Sequence, residues 1–284
     1  MKYWISILVL AISVLGVSAQ DSEANDSANL ALAVIAEADA TDAKRLFLPV
    51  GLSEMPPEIG QLENLEELVV RGTNISELPP EIGNLGNLRV LDLGFNDLSS
   101  LPPEIGNLTH LNQLILNCNQ FVEVPPAIFA LPNLQTLDLS CNYLTYLPSE
   151  IGLMASAQTL HTLNLSGNQL AMIPDSIEQL AHVCYLNVSS NQLTHLPETL
   201  INMIQLRSED CWLLVDYNPL TSLPEQVIEQ GTASILLYMR SPVLWYIQMN
   251  MFSIMGFVVG LVLFFSMVRR RIAHPRKPKA KRHS

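Results

Sequence analysis

Apolar positions recur along this chain with a spacing that repeats every 23 residues from Met55 to Tyr146. The four blocks are MPPEIGQLENLEELVVRGTNISE, LPPEIGNLGNLRVLDLGFNDLSS, LPPEIGNLTHLNQLILNCNQFVE and VPPAIFALPNLQTLDLSCNYLTY. A fixed period in the twenties means that no block can bury its apolar face alone, so the blocks stack and bury a continuous core. In the second block Leu91 and Leu93 stand two apart, which puts both side chains on one face of a short strand. The LPPEIGNL half predicts a short proline-initiated helical segment on the opposite side, because proline's fixed φ suits a first turn. Its Ile82 and Leu85 close the core from behind. Asn96 recurs as Asn119, Asn142, Asn168, Asn191 and Asn218, with Thr73 in the first block. A stack of buried amides there can satisfy backbone groups where each chain turns away from its strand, so these asparagines are read as structural.

Three further blocks follow. Leu147 to Met172 has 26 residues, Ile173 to His195 is regular, and Leu196 to Ser222 has 27, with the extra residues placed near the convex segments. Residues 55–222 are thus seven repeats. The motif carried by Leu88, Leu91, Leu93, Asn96 and Leu98 resembles the leucine-rich repeat proteins of the 23-residue LPxxIxxLxxLxxLxLxxNxL type found in bacteria and plants. The resemblance implies an α/β solenoid, a horseshoe with a parallel sheet on its concave side and helical caps. Residues 20–54 then form an N-terminal linker, cap and half-repeat. The alanine-rich stretch Ser27 to about Lys44 favours helix, capped by Asp26 or Ser27, and Leu46 and Leu48 stand in for strand leucines. Residues 223–241, beginning LPEQVIEQGTASILLYMR, resemble the helix that closes such arrays.

Two apolar runs outside the repeats change the picture. Residues 1–19 have a positive start, a short apolar stretch and the small residues Val17, Ser18 and Ala19, the pattern of a cleaved signal peptide. Residues 243–268 include 22 consecutive residues without a charge from Ile247 to Val268, about the 20 needed to cross a bilayer. Trp245 and Tyr246 suit one interface, and Arg269, Arg270 and Arg271 stop the other end. Eight of the 15 Lys and Arg lie beyond Val268, which places the basic tail 269–284 in the cytoplasm and the repeats outside. Gly256 and Gly260 form GxxxG within the span and offer a close-packed homodimer contact.

All 27 acidic residues precede the span, against six Lys and Arg between Gln20 and Ser241, so the exported region carries about −21. Such a surface argues against nucleic acid or anionic lipid as a partner. His110, His161, His182 and His195 occupy different registers, and His182 with Cys184 lacks further ligands, so no metal site is predicted. With neither a phosphate-binding glycine loop nor a GxSxG elbow, the sequence predicts no enzyme and no cofactor.

What remains is surface for recognition. Aligned blocks give three outward rows on the concave face: Glu67, Val90, Gln113, Thr136, Thr162, Tyr185 and Trp212; Val69, Asp92, Ile115, Asp138, Asn164, Asn187 and Leu214; and Arg71, Gly94, Asn117, Ser140, Ser166, Ser189 and Asp216. From these rows and the turn beside them, Asp92, Phe95, Gln113, Ile115, Asp138, Tyr185, Asn187, Trp212, Leu214 and Tyr217 are the candidate ligand-binding residues. The aromatics near the last repeat are of the type that dominates interface energetics. The expected function is a membrane-anchored module that holds a protein or peptide. The alternative is a structural or adhesive surface protein without a selective ligand. Register also pairs the cysteines: Cys118 with Cys141, each just before a ladder asparagine, and Cys184 with Cys211, each seven before one. Equivalent positions in a parallel stack lie about 4.8 Å apart, so each pair is a candidate disulfide in an exported domain. Asn25, Asn74, Asn107, Asn164 and Asn187 begin NxS/T sequons.

Overall fold

The computed structural model describes residues 22–208 and 210–242, with 245, 246 and 249. The proposed signal peptide, almost all of the predicted span with Gly256 and Gly260, and the basic tail lie outside the described residues. Among the described residues no helix is long and apolar enough to cross a membrane.

The chain divides into two units, up to Ser222 and from Leu223. The first opens on α1 (Ser22–Ala40), which begins earlier and ends earlier than the sequence reading placed it. Its end is set by Asp42, which takes a positive φ of 52°. The Ala43 N–H then donates back to the Ala38 carbonyl at 2.9 Å, closing the last turn.

Eight three-residue strands follow: β1 (Arg45–Phe47), β2 (Glu67–Val69), β3 (Val90–Asp92), β4 (Gln113–Ile115), β5 (Thr136–Asp138), β6 (Thr162–Asn164), β7 (Tyr185–Asn187) and β8 (Trp212–Leu214). They form one parallel sheet in sequence order. The register pairs Leu46, Leu68, Leu91, Leu114, Leu137, Leu163, Leu186 and Leu213 across all eight strands. Each is at most 2% exposed, so one unbroken column of leucine runs through the core. The half-repeat therefore contributes a strand of its own, and Leu46 and Leu48 are buried.

Between strands the chain crosses the back of the sheet in short 3-10 helices such as Pro80–Asn84 and Pro103–Asn107, each with proline in its first turn. Their isoleucines Ile59, Ile82, Ile105, Ile128, Ile151 and Ile177 are fully buried. Neighbouring turns touch closely at glycine: a Cβ on Gly83 would stand 2.7 Å from the Glu104 carbonyl oxygen. The extra residues of the two long repeats lie on this side. They form the turns after Ser149–Leu153 and a second 3-10 helix, Ile204–Arg207.

The asparagine ladder ties each repeat to the one before it. The Asn142 amide donates to the Leu139 carbonyl of its own turn at 3.1 Å and to the Leu116 carbonyl of the preceding repeat at 3.0 Å. Its Oδ1 accepts from the Phe121 N–H at 3.1 Å. Asn119, Asn168, Asn191 and Asn218 repeat this arrangement. Thr73 donates to Asn96 where the first block lacks the amide.

The second unit, described by itself, holds α2 (Glu225–Glu229) and α3 (Thr232–Arg240). Gly231 between them takes φ 81°, a conformation that suits glycine. Tyr238 and Trp245 meet edge to face with centroids 5.6 Å apart.

Removing the Asn142 side chain leaves three buried backbone groups without partners, at about 1–3 kcal/mol each before relaxation. Asn142→Ala is therefore expected to lower the urea-unfolding free energy by about 3 kcal/mol. Asn133→Ala, which removes an exposed bond to the Thr109 carbonyl, should cost about 1 kcal/mol or less. Equal losses for the two variants would refute the structural role of the ladder.

Candidate functional site

The concave surface is built by the strands and the turn after them, because alternation sends residues 1 and 3 of each strand outward. In the register, Tyr185 lies beside Trp212 and Asn187 beside Leu214. Trp212 is 56% exposed and Tyr217 87%, with Tyr185 and Leu214 half-buried, so the array ends in open apolar surface. Gln113 is exposed and Ile115 half-buried at its middle.

Three candidate residues are committed elsewhere. Asn187 is only 9% exposed, and its Oδ1 accepts from both the Ser189 N–H at 3.0 Å and the Ser189 hydroxyl at 2.7 Å. Asp138 makes the same motif with Ser140, at 2.9 and 2.6 Å. Asp92 accepts from the Gly94 N–H at 2.9 Å. Asn164 and Ser166 complete the series. These side chains brace the turn that leaves the strand, so Asn187 is withdrawn as a ligand contact and the two aspartates present only part of their carboxylates. The signal was present in the sequence as Asp or Asn two residues before Gly or Ser, the spacing of an Asx turn.

Phe95 belongs to a different cluster. The Arg71 guanidinium lies 4.6 Å from the Phe95 ring centroid and pairs with Asp92 at 3.2 Å. Phe95, Cys118, Cys141, Ser190 and Tyr217 all have φ between 54° and 59°, in the column that Gly72 and Gly167 fill with glycine. Each directly precedes a ladder residue.

The two cysteine pairs differ. Cys184 and Cys211 are joined, with Cα atoms 4.6 Å apart, so Cys184 has no thiolate to offer a metal. The bridge expected between Cys118 and Cys141 is not formed; both are free thiols. Both lie in the left-handed region, with φ 54° and 56°, and the Asn117 amide donates to the Cys118 thiol at 3.6 Å. Partial burial, reinforced by the Cys141 side chain, pushes the Cys118 pKa up to about 11. Among the described residues no three His, Cys, Asp or Glu side chains are grouped to hold a metal ion.

Profiles described as leucine-rich repeat region and leucine rich repeat match residues 46–114 and 81–162, and residues 158–220. No curated protein sequence matches the chain. Among solved structures, a leucine-rich repeat protein of Leptospira interrogans is 34% identical over 62% of this chain and 49% of its own, with a TM-score of 0.56. The ectodomain of the Arabidopsis thaliana membrane receptor kinase GASSHO1/SCHENGEN3, in complex with Casparian strip integrity factor 2, is 37% identical over 64% of this chain and 22% of its own, with a TM-score of 0.53. The plant peptide hormone receptor RGFR1, in complex with RGF2, is 25% identical over 61% of this chain and 32% of its own, with a TM-score of 0.51. The chain spans about half or less of the length of these neighbours.

Alkylation of the native, non-reduced chain at pH 8 is expected to label two cysteines. The exposed Cys141 reacts first. Cys118 reacts on the order of a hundredfold more slowly than an unperturbed thiol, because so little of it is thiolate. Converting both Cys184 and Cys211 to Ser opens a 27-residue separation and should cost about 3.5 kcal/mol on the loop-entropy estimate. Four labelled cysteines, or no stability difference, would contradict the assignment.

Proposed function

We propose, on the premise that this chain belongs to the leucine-rich repeat proteins, that it is a membrane-anchored module holding a protein or peptide partner on the concave face of its repeats. The observation that carries the reading is the exposed Trp212 on β8 and Tyr217 in the turn after it, with half-buried Leu214 and Tyr185 on the adjoining strands. Burying such side chains against a partner is a large source of interface free energy. Two neighbours are receptors in complex with a ligand, which favours a binding role over a purely structural one. The anchoring half of the proposal rests on the uncharged run 247–268 and the arginines after it.

Capture of a partner by the full chain tests the first half. Trp212→Ala and Tyr217→Gly, the latter keeping the positive φ accessible, are each expected to weaken a captured partner about 30-fold, the effect of losing a 2 kcal/mol contact. Binding unchanged by both substitutions would remove the concave face from the mechanism. For the second half, protease added to intact cells should destroy the repeats and spare a C-terminal tag. Loss of the tag with the repeats intact would reverse the orientation.

A further inference from the structure

The chain leaves each ladder asparagine in an extended segment, and these segments stack as a second set of rows on the flank of the sheet. Their backbones are cross-linked: the Tyr143 N–H donates to the Phe121 carbonyl at 2.9 Å, the Gln169 N–H to that of Leu144 at 2.9 Å, and the Gln120 N–H to that of Leu98 at 2.8 Å. Side chains that point outward here are therefore held at the repeat spacing of about 4.8 Å.

In the outer repeats these positions are polar, with Asn74, Ser76, Glu77, Asp97, Ser99 and Ser100 on one side and Gln192, Thr194 and His195 on the other. In the middle repeats the same rows carry large apolar and aromatic side chains among Gln120, Glu123, Thr145 and Gln169. Val122 is 58% exposed, Tyr143 54%, Tyr146 47% and Met172 67%. Four large side chains 47–67% exposed, in three consecutive repeats, give the middle of these rows an apolar surface that the outer repeats lack.

Charge selects what covers it. Asp97, Glu123 and Glu150 border the patch, and Tyr146 donates its hydroxyl to Glu123 at 3.0 Å. Between Arg89 and Arg207 the chain has no lysine or arginine at all. A second copy of this face would bring the same carboxylates against these, and an anionic lipid surface would be repelled. A polypeptide carrying both lysine or arginine and apolar side chains would be attracted, its cations lying over the tyrosine rings and beside the carboxylates.

We propose that the flank formed by Val122, Tyr143, Tyr146 and Met172 is a docking surface for a basic, partly apolar segment of a partner protein, separate from the concave face. Its test uses the full chain in non-ionic detergent flowed over an immobilised dodecapeptide of alternating lysine and leucine, with a glutamate–leucine peptide as the matched control. Binding to the lysine peptide alone is expected. Tyr143→Ser combined with Tyr146→Ser should weaken it at least tenfold, and Glu123→Gln about threefold with a shallower salt dependence, at unchanged melting temperature. Trp212→Ala should leave it unaltered, so failure here and failure of the concave reading register on different variants. Equal binding to the acidic peptide, or a double variant that binds like the parent, overturns the proposal. So does self-association in sedimentation that the double variant abolishes, because the patch is then a contact between copies.

Discussion

The structure depends on the hydrogen bonds that the ladder asparagines make to their own turn and to the preceding repeat. One amide satisfies a carbonyl of its own turn, a carbonyl of the preceding repeat and an N–H of the preceding repeat, all at buried positions where water cannot substitute. The distance along the chain from strand to ladder is fixed accordingly. It is six residues from Glu67 to Thr73, and the same from Val90 to Asn96, Thr162 to Asn168 and Trp212 to Asn218. The two long repeats keep this spacing and place their extra residues on the convex side, before the strand. Insertion is tolerated only where no inter-repeat amide has to be met.

That constraint also explains a recurring backbone cost. The residue before each ladder position must turn the chain with positive φ, which glycine adopts freely at Gly72 and Gly167. Phe95, Cys118, Cys141, Ser190 and Tyr217 adopt it at roughly 1 kcal/mol or more each. The amide bonds on either side hold the conformation in place. Since glycine would serve the fold better at these positions, the presence of a phenylalanine and a tyrosine, both exposed, argues that their side chains matter for something other than folding.

Strand register and core were legible in the sequence because leucine at spacing two, followed by asparagine at a constant offset, admits one register. Leu91 and Leu114 could not slip by a residue without turning a buried column to solvent. The limits of α1 were less legible, since the polar residues 22–26 gave no helix signal and the alanine-rich stretch after Ser27 has no stop of its own before the positive φ at Asp42. The candidate site was read from rows of outward residues, and rows do not tell which side chains are already used by their own turns. Asn187 looked available by alternation and is enclosed by Ser189. The cysteine register offered both pairs alike; only Cys184 and Cys211 are joined, while Cys118 and Cys141, which sit at the positive-φ turn before the ladder residue, stay free. The flank patch escaped because its residues follow the asparagine, outside the strand rows; comparing polar with apolar residues at those positions across blocks would have exposed it.

The distribution of charge gives the two surfaces different characters. Among the described residues the ion pairs are Lys44–Glu66, Arg45–Glu67, Arg71–Asp92 and Arg89–Glu66, all within the first strands of the sheet. Solvent-exposed pairs of this kind add little stability, roughly 0–1 kcal/mol each. Their effect is to neutralise the carboxylates at that end. Beyond Arg89 no such partner is available until Arg207, so Asp138, Glu123 and Glu150 keep their charge uncompensated. The first strands thus carry paired charges, with Arg71 stacked on Phe95, and the middle repeats carry unpaired carboxylates. Steering by that field acts over about 8 Å at physiological salt, close to two repeat spacings. On the proposed reading, a cationic partner would be drawn toward the central repeats before any contact forms, and the aromatic end near Trp212 would select by shape and burial.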